Sequence, residues 1–152
     1  MSGVPTDVRI SPELAVAPRS LELKTPESAV RSYLDWTSFA YRTAQSIVST
    51  ATMTPQEQVR VDAYIQYNLE KKQIIDQKMK TITFAAPVVE STATLVPAKE
   101  LWTYSYLSIA KGNKVLGGPY SASYDSTYTV VKQKNGTWVV ASVAAKPLGK
   151  VK

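Results

Sequence analysis

The apolar positions of this chain change period once, near Lys72. Before that point Val30, Tyr33, Leu34, Thr37, Ala40, Tyr41, Ala44, Ile47 and Val48 recur at steps of three and four, which places them on one helical stripe facing a core. Thr25-Pro26-Glu27 opens this helix with a hydroxyl to cap free N–H groups, a proline at the first helical position and an acid at the positive end of the dipole. No glycine or proline interrupts the stripe before the break at Ser49-Thr50-Ala51-Thr52. A second start follows. Thr54-Pro55-Gln56-Glu57 fits a capping box, in which Thr54 reaches the third N–H and Glu57 reaches back. That helix is predicted to run to about Lys72, with Val61, Ile65 and Leu69 at i, i+4 and i+8 beside Tyr64. The two helices are expected to form a hairpin with one shared buried side.

After Lys72 the residues alternate, and β-branched and aromatic types dominate. Four or five antiparallel strands are predicted, over about 76–86, 89–96, 100–110, 120–133 and 137–146. Their separators are Pro87, Pro97-Ala98-Lys99, Gly112-Asn113 with Gly117-Gly118-Pro119, and Asn135-Gly136. The last reads as a two-residue hairpin turn, because Asn and Gly tolerate positive φ. Two helices followed by a strand meander give an α+β domain whose sheet twists around the helices. The domain is expected over residues 25–146, with a basic tail over 147–152. Residues 1–24, with Pro5, Pro12 and Pro18, read as an extended arm or linker that is either a free tail or packs Ile10, Leu14 or Leu21 on the domain.

Composition narrows the chemistry. The 152 residues are 44% hydrophobic and 20% charged, as expected of one globular domain. With neither Cys nor His, disulfides, zinc fingers, thiol nucleophiles, imidazole bases and Ser-His-Asp triads are excluded. No metal or cofactor is expected. Lys and Arg number 18 against 12 Asp and Glu, for a net charge of +6. The lysines fall in dispersed pairs, such as Lys78 with Lys80 and Lys132 with Lys134, which describes a solvated surface. A nucleic-acid partner would need a continuous basic stripe with exposed aromatics, so the pattern argues against one. Attraction to an anionic membrane surface is an alternative use of the charge. Gly117-Gly118 lacks the Lys-Ser/Thr and helix of a phosphate loop. Asn135-Gly136-Thr137 fits a glycosylation sequon that its hairpin role already explains.

The long helix opening at Thr25-Pro26-Glu27-Ser28-Ala29-Val30, and a closing hairpin of Ser126-Thr127-Tyr128-Thr129-Val130 with Asn135-Gly136-Thr137-Trp138-Val139-Val140, resemble the nuclear transport factor 2-like superfamily. The resemblance covers about residues 25–146. It is nearest to noncatalytic extracytoplasmic members that follow a transmembrane segment, such as type IV secretion scaffolds and plastid-division intermembrane domains. It implies a curved sheet closing on the helices, often around a conical pocket. It also implies an interaction or scaffold domain, the exposed part of an envelope or membrane-anchored protein whose anchor lies outside this chain.

Face parity supplies a candidate site. Trp102, Tyr104 and Tyr106 share one face of the third strand, opposite Leu101, Thr103, Ser105, Leu107 and Ile109. Tyr120, Ala122, Tyr124, Ser126, Tyr128 and Val130 share a face of the next, and Trp138, Val140 and Ser142 of the last. Together with Tyr41 from the first helix, Trp102, Tyr104, Tyr106, Tyr124 and Tyr128 are the candidate contacts for a small hydrophobic ligand. A filled core with cross-strand aromatic pairs is the competing reading. Catalysis, of the isomerase or lyase kind found in some superfamily members, would need a carboxylate from Asp35, Asp76, Glu90 or Asp125. Asp125 has the wrong parity for the aromatic face, and the reading is of a non-enzyme. A protein partner is expected but not identified. A homodimer through Leu101, Leu107, Ile109, Val131, Val139 and Val143 on the outer sheet face is also expected.

Overall fold

The computed structural model describes residues 21–148. The arm expected over 1–24 lies outside them except at 21–24, as does the basic tail except at Pro147 and Leu148. Helix α1 (Pro26–Thr43) begins at Thr25, whose side chain accepts from the Ser28 N–H while Ser28 Oγ accepts from the Thr25 N–H. The reciprocal box therefore sits here, with serine in place of glutamate. Helix α1 ends earlier than its apolar stripe, because Ala44 takes a left-handed conformation (φ 57°) and its N–H bonds back to the Ala40 carbonyl. The chain then turns into a 3₁₀ segment (Ser46–Thr52), and Ile47, expected in the stripe, is 73% exposed.

Helix α2 (Pro55–Glu70) is capped by Thr54, which accepts from the Glu57 N–H. The return arm of the expected capping box is missing. Glu57 instead accepts from the Tyr33 hydroxyl at 2.5 Å and from Arg60 Nε, so a buried charge is satisfied in place of a helix end. Val61 and Ile65 are buried as the period requires.

Strands β1 (Gln73–Phe84), β2 (Val88–Val89), β3 (Thr94–Ser108), β4 (Lys114–Lys132) and β5 (Trp138–Pro147) form one antiparallel sheet. Its order is β1-β3-β4-β5, and β2 pairs with β3 beyond the end of β1. The helices pack on one face, over a core of Val30, Ile65, Val96, Tyr128, Val130 and Val140 among others. The result is the expected α+β domain, a helical N-terminal part on a five-stranded antiparallel sheet, consistent with a nuclear transport factor 2-like fold.

The strands depart from expectation at three places. The segment predicted at 100–110 and the end of the one predicted at 89–96 are one strand from Thr94, with Val89 in β2, because Pro97 sits inside β3 opposite Thr127. Its carbonyl accepts from Ala85, and the N and O of one strand residue point to the same side. The missing N–H thus faces the gap between β1 and β2, where no ladder bond is lost. At the second place, β4 begins at Lys114 and takes in Gly117-Gly118-Pro119, with register shifts against β3 on either side of Tyr106. Gly118 makes this close approach possible: its φ is +102°, and a Cβ there would lie 2.7 Å from the Tyr104 carbonyl oxygen. The third is the last hairpin, where Gly136 N–H bonds to the Gln133 carbonyl and Gly136, not Asn135, has positive φ. The Gln133 N–H also donates to the Thr137 carbonyl, so the loop holds three residues, Lys134, Asn135 and Gly136, and not two.

Burial also departs from a simple alternation of faces. Leu107 is buried in the core, and Ile109 and Val143 pack against it. A shift between Thr129 and Val130 puts Ser142 opposite Thr129, on the face away from the helices, and brings Val143 opposite Tyr128. Val139 is 1% exposed. The outer face expected to carry a dimer contact therefore lacks Leu107 and Val139 as accessible side chains, and Ile109 and Val143 are half-buried.

Candidate functional site

The inner face of the sheet does not close fully on the helices. Trp102, Tyr104 and Tyr106 of β3 and Tyr124 and Tyr128 of β4 line a cavity of about 250 Å³ together with Tyr64 of α2. An adjoining cavity of about 310 Å³ reaches up to α1, where Tyr33, Thr37 and Tyr41 meet Arg60. Tyr64, Gln77, Tyr124, Tyr128 and Ala145 belong to both walls, so the two spaces form one cleft. Five of the six candidate contacts lie in the first cavity, and Tyr41 lies in the second alongside Tyr124 and Tyr128.

The rings brace one another at angles. Tyr104 meets Tyr106 edge-on with centroids 5.9 Å apart, and Tyr120 tilts over both at 5.3 and 6.4 Å. Tyr41 meets Tyr64 edge-on at 5.1 Å, and Tyr33 meets Tyr128 at 6.1 Å. Burial pushes the hydroxyl pKa up at Tyr64, Tyr106 and Tyr124, and up to about 12 at Tyr41. Tyr128 is raised as well, first by burial and then by the negative charge of Glu100. At neutral pH the walls are neutral phenols.

Among the described residues Glu100 is the one charged side chain lining the first cavity. It is 6% exposed. One carboxylate oxygen accepts from Trp102 Nε1 at 2.7 Å, and the other accepts from the Tyr128 hydroxyl. No Lys or Arg among the described residues forms an ion pair with it, whereas Arg60 pairs with Glu57 and Lys78 with Asp76. The cleft also holds two buried hydroxyls without a hydrogen bond of good geometry, Ser126 Oγ in the first cavity and Thr37 Oγ1 in the second. Ser126 is close enough to influence the Tyr128 hydroxyl, but that hydroxyl donates to Glu100.

None of the four carboxylates considered for catalysis lines the cleft. Asp35 is exposed on α1, where partial desolvation pushes its carboxyl up against the pull of Arg31 and Arg42. Asp76 sits beside Lys78 at 3.9 Å. Glu90 is exposed next to β2. Asp125 points outward, as its parity predicts, between Lys99 on β3 and Lys146 on β5. The sequence reasoning missed Glu100, although it has the same parity as Trp102 and Tyr104. Among the described residues no cluster of acids has the arrangement of a metal site, and no helix is long and apolar enough to cross a membrane.

No protein-family model matches the chain, and no curated protein matches it by sequence. Solved structures do match by fold. The intermembrane space region of chloroplast protein ARC6 superposes with a TM-score of 0.66 at 14% identity, over 86% of this chain and 100% of that one. A protein from Catenulispora acidiphila in complex with S-DNPA superposes with a TM-score of 0.51 at 12% identity, over 80% of this chain and 92% of that one. At these identities the likeness is one of fold.

Proposed function

We propose that this chain is a noncatalytic binding domain of the nuclear transport factor 2-like superfamily, the exposed part of an envelope or membrane-anchored protein. In this reading its aromatic cleft receives a small apolar group, either free or carried by a partner. The observation that carries the reading is the cleft itself, two confluent cavities walled by rings and furnished with polar atoms that await a partner. Pockets of this kind bind by apolar contact and orient by a few polar groups. The extracytoplasmic placement is supported by the fold it shares with an intermembrane space region. A noncatalytic role is supported by Glu100, whose two oxygens already accept from Trp102 and Tyr128, whereas a general base aims a lone pair at its substrate.

The test is a titration with 2-naphthol, a planar apolar probe with one hydroxyl, followed by tryptophan fluorescence. At about 0.5 kcal/mol per heavy atom the midpoint should fall on the order of 0.1 mM. Tyr124→Ser, which opens a wall shared by both cavities, should weaken binding at least about tenfold. A linear, non-saturating response, or a midpoint indifferent to Tyr124→Ser, would sink the reading.

A further inference from the structure

We infer that the first cavity is built for an organic cation, a small alkylated ammonium group held against Glu100 inside a box of aromatic faces. This inference rests on the cleft being a ligand site and says what chemistry it takes.

Three observations meet at one place. The first is the carboxylate. Both Glu100 oxygens accept hydrogen bonds, and their donors are a neutral indole and a neutral phenol. Those donors orient the carboxylate without cancelling its charge. A buried carboxylate that no Lys or Arg among the described residues pairs with is costly until a cation reaches it.

The second is the wall. Trp102, Tyr104, Tyr106 and Tyr124 surround the same space as Glu100, and the faces of such rings carry the negative end of a quadrupole. Aromatic cages of this composition attract quaternary and methylated ammonium groups, most strongly where water is excluded. Of these walls Tyr104 and Tyr106 meet edge-on, at an interplanar angle of 83°, so their ring faces point in different directions, which suits a globular cation better than a flat neutral ring.

The third is the division of charge within the cleft. The other cavity carries a cation, Arg60, but Glu57 and the Tyr33 hydroxyl already engage its guanidinium. Arg60 therefore neutralises Glu57 and leaves Glu100 to a ligand. A cation entering the cleft has one attractive end, and the space of about 250 Å³ there suits a trimethylammonium head with a short chain. Such a head occurs on free small molecules and on lipids alike, and the protein reads the same chemistry in both.

The experiment is calorimetric titration of the protein with choline and, separately, with 3,3-dimethyl-1-butanol, its uncharged carbon isostere. Choline should bind at least about tenfold more tightly, which is about 1.4 kcal/mol. Glu100→Gln should erase that preference, and Tyr104→Leu, which removes a wall and leaves the carboxylate in place, should reduce it. The comparison of the two ligands on the unaltered protein needs no variant to fold. Cosedimentation with phosphatidylcholine vesicles, displaced by choline, would identify a lipid headgroup as the source; choline binding without cosedimentation would identify a free molecule. Equal or tighter binding of the isostere overturns the inference while leaving the cleft a ligand site. So does binding of 2-naphthol with neither titrant bound. If 2-naphthol also fails to bind, the inference falls together with the reading of the cleft.

Discussion

Tyr128→Phe isolates one hydrogen bond. Tyr128 is 2% exposed, its ring packs edge-on against Tyr33 at 6.1 Å, and its hydroxyl donates to Glu100. Phenylalanine keeps the ring and its contacts, so no large void opens; what is lost is the donor, and one Glu100 oxygen is left without it. Hydrogen bonds to charged groups contribute about 1.5–3 kcal/mol, and with the acceptor retained a loss of about 2 kcal/mol is expected. For a denaturant slope of about 2 kcal/mol per molar in urea, the unfolding midpoint should fall by about 1 M with the slope unchanged. In a double variant with Glu100→Gln, the loss of the hydroxyl should cost at least about 1 kcal/mol less than it does alone, because the charged acceptor is gone. A midpoint shift under about 0.2 M for Tyr128→Phe, or strict additivity in the double variant, would refute the claim that this bond holds Glu100 in place.

Two further outcomes follow from buried polar groups. Arg60→Ala leaves Glu57, which is 3% exposed, with the Tyr33 hydroxyl and without its cation. Since the arginine side chain is half exposed and its charge is partly screened, a loss of about 2 kcal/mol is expected by urea unfolding; an unchanged midpoint would show the pair to be idle. Stability should also fall in alkali. Unfolded tyrosine ionises near about pH 10, whereas burial holds Tyr41 protonated up to about 12 and raises Tyr33 and Tyr128 too. The contribution is therefore complete below about pH 10 and is lost as pH climbs through the folded values, by about 1.4 kcal/mol per pH unit for each such tyrosine. Urea midpoints measured from pH 8 to 11.5 check this, and a flat profile would contradict the burial of these hydroxyls.

What could be read in advance was whatever depends on period. The two helices, the antiparallel sheet and the shared face of Trp102, Tyr104, Tyr106, Tyr124 and Tyr128 all follow from steps of 3.6 and 2. What could not be read depends on single residues that break a period. The end of α1 at Ala44 has no glycine to mark it, since alanine takes the left-handed conformation there. The shift beside Val130 inserts a residue into β5 without any hydrophobic signature, and so misplaces Ser142 and Val143. Pro97 read as a separator because its neighbour across the gap was invisible. Glu100 was overlooked for a different reason: a charge is expected to point outward, and only its parity with Trp102 argued otherwise.

The N–H of Trp138, the first residue of β5, donates to the carbonyl of Leu23, and Thr54 donates to Val140. The start of the domain is thus fastened to its last strand. Helix α1 precedes every strand it packs on, and its contacts with β5 cannot form until the final hairpin closes. The nearby strands can pair through their own turns, but the helices must wait with their apolar sides uncovered. For a nascent domain of this design the vulnerable interval lasts from its first helix to its final hairpin.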